Sequence, residues 1–94
     1  MTSKAQSAAL SAIKQKITSL EKRIGDGYPY ELAPLETWVL EAVEEIGILV
    51  AEHSLDEKLI QTSKQRLLDR LYDRAGKLKD HLWQAAFAKR HKLA

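Results

Sequence analysis

The 94-residue chain contains no cysteine, and this absence excludes several classes of protein. Without thiols there is no disulfide scaffold, no thiolate zinc site, no iron–sulfur cluster and no cysteine nucleophile. Glycine and proline are also scarce, at four and two residues. This scarcity argues against an all-β protein, because such proteins need many tight turns.

Long hydrophobic runs are missing as well. The longest apolar run covers residues 46–51, far short of the roughly 20 residues that cross a bilayer. Residues 1–24 carry five basic side chains and no unbroken apolar stretch, which is not the pattern of a secretory signal peptide. We therefore expect a cytoplasmic protein with no membrane segment.

The remaining composition is ordinary for a single domain over residues 1–94. Apolar residues make up 45% and charged residues 30%, which is typical of globular proteins and too apolar for a disordered tail. A chain of this size builds an adequate but not generous core. Association with a second subunit is therefore expected to contribute to stability.

A first helix is predicted from about Ser3 to Ile24. Its apolar residues recur at alternating spacings of three and four, which is the heptad pattern of a coiled-coil stripe. These residues are Leu10, Ile13, Ile17, Leu20 and Ile24. Ser3 is a suitable N-cap, and Gly25 is a suitable residue to end the helix.

A second helix is predicted from about Pro34 to Glu52, with proline at its first position. Its apolar face is broad. Leu40 and Ile48 fall among the glutamates on the opposite side, where solvent is expected. This helix is therefore expected to contact neighbours on more than one side.

The segment Ser54-Leu55-Asp56-Glu57 has the pattern of a capping box and predicts the start of a third helix. Only a tight turn around His53 remains before it, so helices two and three should be antiparallel neighbours.

Two architectures remain open beyond Gly76, within an all-α bundle of three to four helices. In one, the chain turns at Gly76 and a fourth helix folds back to complete a compact bundle. In the other, a continuous or kinked helix of about 58 Å projects beyond the first two helices. That helix would need a partner subunit to cover Leu78, Leu82, Trp83 and Phe87. We favour the second architecture, and with it a homodimer.

Charge is uneven along the chain, although the net charge is only +2. Residues 1–24 carry five basic side chains and one acidic, whereas residues 25–57 carry nine acidic side chains and no lysine or arginine. Residues 58–94 carry ten basic and three acidic side chains. We interpret this as an acidic second helix that pairs with basic neighbours through salt bridges.

The function expected from these patterns is that of a small protein–protein interaction module, such as an adaptor, inhibitor or regulator. Its contact residues should be aromatic residues and the apolar side chains that face solvent. The candidates are Tyr28, Tyr30, Leu40, Ile48, Trp83 and Phe87. The partner that they imply is a protein of unknown identity, including a second copy of the chain.

An alternative is a nucleic-acid-associated protein that uses a basic C-terminal helix. Basic side chains interleaved with aromatic ones suit phosphate contacts combined with base stacking. The residues assigned to this role are Lys77, Lys79, Lys89, Arg90 and Lys92.

A more remote alternative is a Mg²⁺-dependent phosphohydrolase. Glu41 with Glu45, and Asp69 with Asp73, form two i, i+4 carboxylate pairs that antiparallel helices could bring together. The glutamate spacing is similar to that of the all-α nucleotide pyrophosphohydrolases, but their second acidic motif requires a glutamate where this chain has Arg66. Ion pairs within the helix, between these aspartates and neighbouring arginines, are the simpler interpretation. We therefore expect no enzyme, metal site or cofactor.

Overall fold

The computed structural model describes residues 3–26 and 31–93, and these residues form four α-helices. They are α1 (Lys4–Asp26), α2 (Leu32–Glu52), α3 (Lys58–Lys77) and α4 (His81–His91). No strand occurs in either described range. The principal dimensions are 46 × 25 × 16 Å. The prediction of a small all-α bundle is confirmed.

Helices α1, α2 and α3 pack on one another, and α4 packs against α3. The direction of α2 follows from its contacts with α1. The Gln6 side chain donates to the His53 carbonyl at 2.9 Å, whereas Lys16, further along α1, pairs with Glu45, earlier in the chain. α1 and α2 are therefore antiparallel, and the short turn at residues 53–57 sends α3 back alongside α2.

The buried stripe of α1 differs from the predicted one at its N-terminal end. Ile13, Ile17, Leu20 and Ile24 are buried as predicted, but Ala9 is buried in place of Leu10, which is 37% exposed. A straight helix has 3.6 residues per turn, so a strict heptad pattern drifts around it. The drift is about 20° per heptad, so over the two heptads from Ile24 to Leu10 it amounts to about 40° and carries Leu10 toward the edge of the buried side.

The predicted start of α1 is confirmed, whereas the predicted end of α1 at Gly25 and the predicted start of α2 at Pro34 are not. The Ser3 hydroxyl accepts from the Gln6 backbone N–H, and the Gln6 side chain accepts from the Ser3 N–H, which makes a capping box. Gly25 lies inside α1 and does not end it. α2 begins at Leu32, two residues before Pro34, since proline is tolerated throughout a first turn whose N–H groups have no helical partner.

The capping box predicted at Ser54 is wrong. Ser54 adopts the left-handed conformation, with φ of 53°, and helps to end α2, because the Leu55 N–H donates to the Val50 carbonyl. The start of α3 is stabilised two residues later, where the Asp56 carboxylate accepts from the Lys58 N–H at 2.9 Å. A serine in this sequence context satisfies the pattern of either a helix start or a helix end.

The continuous helix through Gly76 is also wrong, because α3 ends at Lys77. Lys79 is left-handed, with φ of 60°, and the Asp80 N–H donates to the Ala75 carbonyl, which closes the end of α3. The Asp80 carboxylate then accepts from the Trp83 N–H at 3.1 Å and caps α4. One aspartate thus ends one helix and begins the next.

Gly76 itself remains helical and allows α4 to approach closely. A Cβ atom at this position would lie 2.8 Å from the Gln84 side-chain nitrogen. That nitrogen donates to the Tyr72 carbonyl at 3.0 Å, across the turn between α3 and α4. The glycine therefore marks the fold-back of α4, although the helix does not break at it.

Candidate interaction surfaces

The first candidate surface is the α2 ridge, which we define as Leu40, Glu44 and Ile48 with the flanking residues Glu41 and Glu52. These residues lie on the side of α2 opposite Val39 and Ile46, which are fully buried in the core. Leu40 is 42% and Ile48 53% exposed. The structure thus places both predicted contact residues where solvent reaches them.

The α2 ridge is acidic because α2 carries no lysine or arginine. Glu45 is not part of the ridge, because its carboxylate pairs with Lys16 of α1. Glu41, Glu44 and Glu52 stay exposed along the ridge. An apolar strip with carboxylates on its flanks favours a partner that is apolar at its centre and basic at its rim.

The second candidate surface lies on α4, but it excludes Phe87. Phe87 is completely buried in the core, and Trp83, which is half-buried, stacks on it with ring centroids 4.8 Å apart. A partner can reach the edge of Trp83, but not Phe87. The sequence prediction required a partner to cover Phe87, and the fold-back of α4 supplies that cover within the chain.

The outward side of α4 is apolar at its centre. We define the α4 face as Leu82, Ala85 and Ala86 of α4 together with Leu78 in the turn before it, all of which are exposed. Leu82 is 89% exposed, the highest value among the large apolar side chains that the structure describes. Residues three and four apart share one side of a helix, so Leu82, Ala85 and Ala86 form one patch.

The lysines proposed for phosphate contacts lie at the two ends of α4. Lys77 and Lys79 lie at the turn before α4, and Lys89 and Lys92 lie in and after its last turn. All four are exposed. Arg90 differs from them, because its guanidinium group donates to both carboxylate oxygens of Glu36 in α2, at 3.1 and 3.0 Å.

Glu36 holds α4 to α2 through two partners. Besides Arg90, His91 Nε2 lies 2.8 Å from Glu36 Oε2. Burial alone would raise the pKa of Glu36, but the hydrogen bonds from His91 and Arg90 outweigh burial and hold this pKa below its ordinary value of 4.5. Sequence reasoning missed this site; the only signal for it was the charge contrast between α2 and the C-terminal helix.

Glu21 makes a second link of this kind, between α1 and α3. Its carboxylate lies 2.7 Å from Arg66 and 3.1 Å from Arg70. Burial raises the pKa of Glu21, but the hydrogen bonds from the two arginines outweigh it and lower the pKa below 4.5. The two arginines therefore join helices, instead of pairing with the aspartates of α3 as the sequence predicted.

The carboxylates proposed for Mg²⁺ are not brought together. Glu41 and Glu45 line a groove between α1 and α2, whereas Asp69 lies on the outer side of α3 and accepts from Gln65 at 2.9 Å. Within residues 3–26 and 31–93, no group of three or more acidic or histidine side chains is placed to hold a metal ion.

The concave regions of the described surface are open grooves. One of about 240 Å³ lies between α1 and α3 and is lined by Leu10, Ile13, Ile17 and Leu59. Its polar lining residues are Lys14, Thr62, Ser63 and Arg66, which offer no acid–base pair.

Two of the predicted contact residues, Tyr28 and Tyr30, lie outside the described residues. Trp38, which comes soon after them in the chain, is half-buried beside α1, with the Arg23 guanidinium 5.3 Å from its ring centroid. This cation–π contact joins the adjoining ends of α1 and α2.

None of the helices in the described ranges is both long enough and apolar enough to cross a lipid bilayer. Comparisons of the chain with protein-family models, with curated proteins and with solved structures give no match.

Proposed function

We propose that this protein is a small helical interaction module that acts in the cytoplasm, as an adaptor, inhibitor or regulator, through the surfaces of its helices. The observation that carries the proposal is the exposure of Leu40 and Ile48 in the middle of an acidic helix. Large apolar side chains that reach solvent among polar ones are typical of a contact surface.

The way the core is built supports this proposal. α2 already fills its inner side with Leu35, Val39, Ile46 and Val50, each of which is at most 3% exposed. Leu40 and Ile48 lie outside this packed side, and about half of each side chain is left exposed to solvent. Burial of each in an interface would contribute about 1–2 kcal/mol to binding.

The nucleic-acid alternative has weaker support. Arg90 pairs with Glu36, so of the five residues assigned to phosphate contacts four lysines remain. The aromatic ring that stacking would need is buried in the case of Phe87. An affinity for nucleic acid that depended on these lysines alone would be nonspecific and would fall steeply with salt.

Photo-cross-linking from the α2 ridge tests the proposed function. A photoreactive amino acid at Ile48 should form protein adducts in cells, and the matched probe at Gln61, an exposed residue of α3, should not. Leu40→Glu, added to the Ile48 probe, should reduce the adduct yield at least about tenfold, because it places a charge in the apolar strip.

Three results would count against the proposal: no adduct at Ile48, equal yields from the two probes, or a yield unaffected by Leu40→Glu. Cross-links to nucleic acid from a probe at Lys89, together with none to protein from Ile48, would support the nucleic-acid alternative instead.

A further inference from the structure

Among the described residues, the most exposed large apolar side chains occupy two faces of opposite charge. Leu40 and Ile48 belong to the α2 ridge, while Leu78, at 43%, and Leu82, at 89%, belong to the α4 face. One further large apolar side chain of comparable exposure is described, Leu10, which lines the groove between α1 and α3. The exposed apolar surface is therefore concentrated on α2 and α4.

The charges around the two faces are complementary. Exposed glutamates flank the apolar strip of α2: Glu41, Glu44 and Glu52. Exposed lysines flank the apolar patch of α4: Lys77, Lys79, Lys89 and Lys92. Asp80 is the exception on the α4 side, and its carboxylate is engaged by the Trp83 N–H as the helix cap.

The side chains also suit close packing of one helix on the other. Leu40 and Ile48 are eight residues apart, or about 12 Å along the α2 axis. Glu44 lies between them, and its long side chain can bend toward solvent. On α4, Ala85 and Ala86 follow the protruding Leu82. Small residues beside a large one let a second helix approach and receive the large side chain between its own ridges.

Two copies of the same face do not have complementary charges. An α2 ridge packed on an α2 ridge would bring glutamates together from both copies, and an α4 face on an α4 face would bring lysines together. Such contacts between like charges are unfavourable at a buried interface. The only pairing of these two faces that matches both charge and apolar surface is α2 with α4.

We propose that the partner of the α2 ridge is a second copy of this chain, which docks its α4 face there and receives the first copy's α4 face on its own α2 ridge. This inference rests on the proposed function, because it names the partner of the same surface. The exchange makes two equivalent contacts related by a two-fold axis, which is the commonest arrangement of a closed dimer.

A pair of charge variants tests the proposal. Leu82→Glu places a carboxylate against the acidic α2 ridge of the other copy, and Ile48→Lys places an ammonium group against the lysines of the other copy's α4 face. Each variant alone should lose association by at least about tenfold, because both of its contacts become repulsive.

Mixing the two variants should restore association. In the mixed dimer one contact joins the two native faces, and the other joins the two substituted faces, whose new charges attract. A contact between any other surfaces of the chain would show no such rescue.

The measurement is the molar mass from light scattering during gel filtration, for the wild-type chain, each variant and the equimolar mixture. Leu10→Glu serves as the matched control, since it introduces the same charge at an exposed leucine outside both faces, and it should leave the dimer intact. Circular dichroism of each variant checks that the helices are retained, which the exposure of Leu82 and Ile48 favours.

A wild-type chain that remains monomeric at high micromolar concentration would overturn this proposal. So would variants that dimerise as the wild type does, or a mixture that stays monomeric. Cross-links from Ile48 to a different protein, found together with a monomeric chain, would leave the proposed function standing and reject only the second copy as partner. A monomer without any cross-link would reject both.

Discussion

The guanidinium group of Arg90 in α4 contacts both carboxylate oxygens of Glu36 in the first turns of α2, although 54 residues separate the two in the chain. His91 contacts the same carboxylate, so successive residues of α4 converge on one acid. A single side chain of the acidic helix thus ties the C-terminal end of α4 to α2, in addition to the packing of α4 on α3.

Removing the charge of Glu36 should weaken the attachment of α4. Glu36→Gln keeps the shape of the side chain but loses charge-assisted hydrogen bonds to Arg90 and His91, so the free energy of unfolding should fall by about 1–3 kcal/mol. Urea denaturation followed by circular dichroism measures it. Glu44→Gln, on the exposed α2 ridge, should change the free energy by less than about 0.5 kcal/mol. Equal effects of the two substitutions would contradict this account.

Acid should destabilise the fold through Glu36 and Glu21. The pKa of each is lowered below 4.5 in the folded chain, so their contribution to stability is complete above that value. It is lost as the pH falls through the folded pKa, because protonation breaks the pairing with arginine. Urea midpoints between pH 6 and about pH 3 measure the loss. The double variant Glu21→Gln with Glu36→Gln should show a flatter pH dependence, and an unchanged slope would contradict the assignment.

Replacing Lys79 with glycine should stabilise the protein. Lys79 has φ of 60°, a conformation that costs a residue with a Cβ atom about 1 kcal/mol and that glycine adopts freely. Lys79→Gly should therefore raise the melting temperature. Lys77→Gly, in the last turn of α3, should lower stability by about 1 kcal/mol. The same substitution two residues apart thus has opposite signs, and two shifts of the same sign would refute the argument.

The aromatic anchor of α4 should be far more important for stability than its outer leucine. Phe87 is 0% exposed, so Phe87→Ala should cost about 3–5 kcal/mol through lost burial and the cavity that remains. Leu82→Ala, at 89% exposure, should change the stability of the monomer by less than about 0.5 kcal/mol, measured at a concentration too low for the chain to associate. Thermal melts of the two variants compare them directly, and similar melting temperatures would show that α4 is not anchored as described.

The helices themselves were predictable because their apolar patterns are long. The inner face of α2 was identified from residues such as Val39 and Ile46, which are fully buried. The exposure of Leu40 and Ile48 was predictable for the same reason, since the period of 3.6 residues leaves them on the opposite side. A periodic pattern averages over many residues, so it tolerates local exceptions such as Leu10.

The ends of the helices were predicted less well, because each depends on one or two residues whose signals are ambiguous. Ser54 and Lys79 end α2 and α3 in the left-handed conformation that glycine usually supplies. Gly76, the residue that looked like a helix end, lies within α3 and makes room for Gln84. That role is visible only once α4 is in place.

The interhelical ion pairs were not predictable in detail. The charge contrast between segments indicated that acidic and basic helices would meet. Nothing in the spacing of the residues indicated that Glu21 of α1 would form salt bridges with Arg66 and Arg70 of α3. Long charged side chains have partners within reach on their own helix and on its neighbours. Tertiary packing decides between them, as it did for Arg90.

The burial of Phe87 has a consequence for the synthesis of this chain. A ribosome synthesises α1, α2 and α3 before α4, so these helices are available for packing before Phe87 is. In that interval the apolar site that Phe87 later fills is exposed to solvent. The nascent bundle is then most prone to associate with other chains. That period ends when the side chain of Phe87 packs into the core.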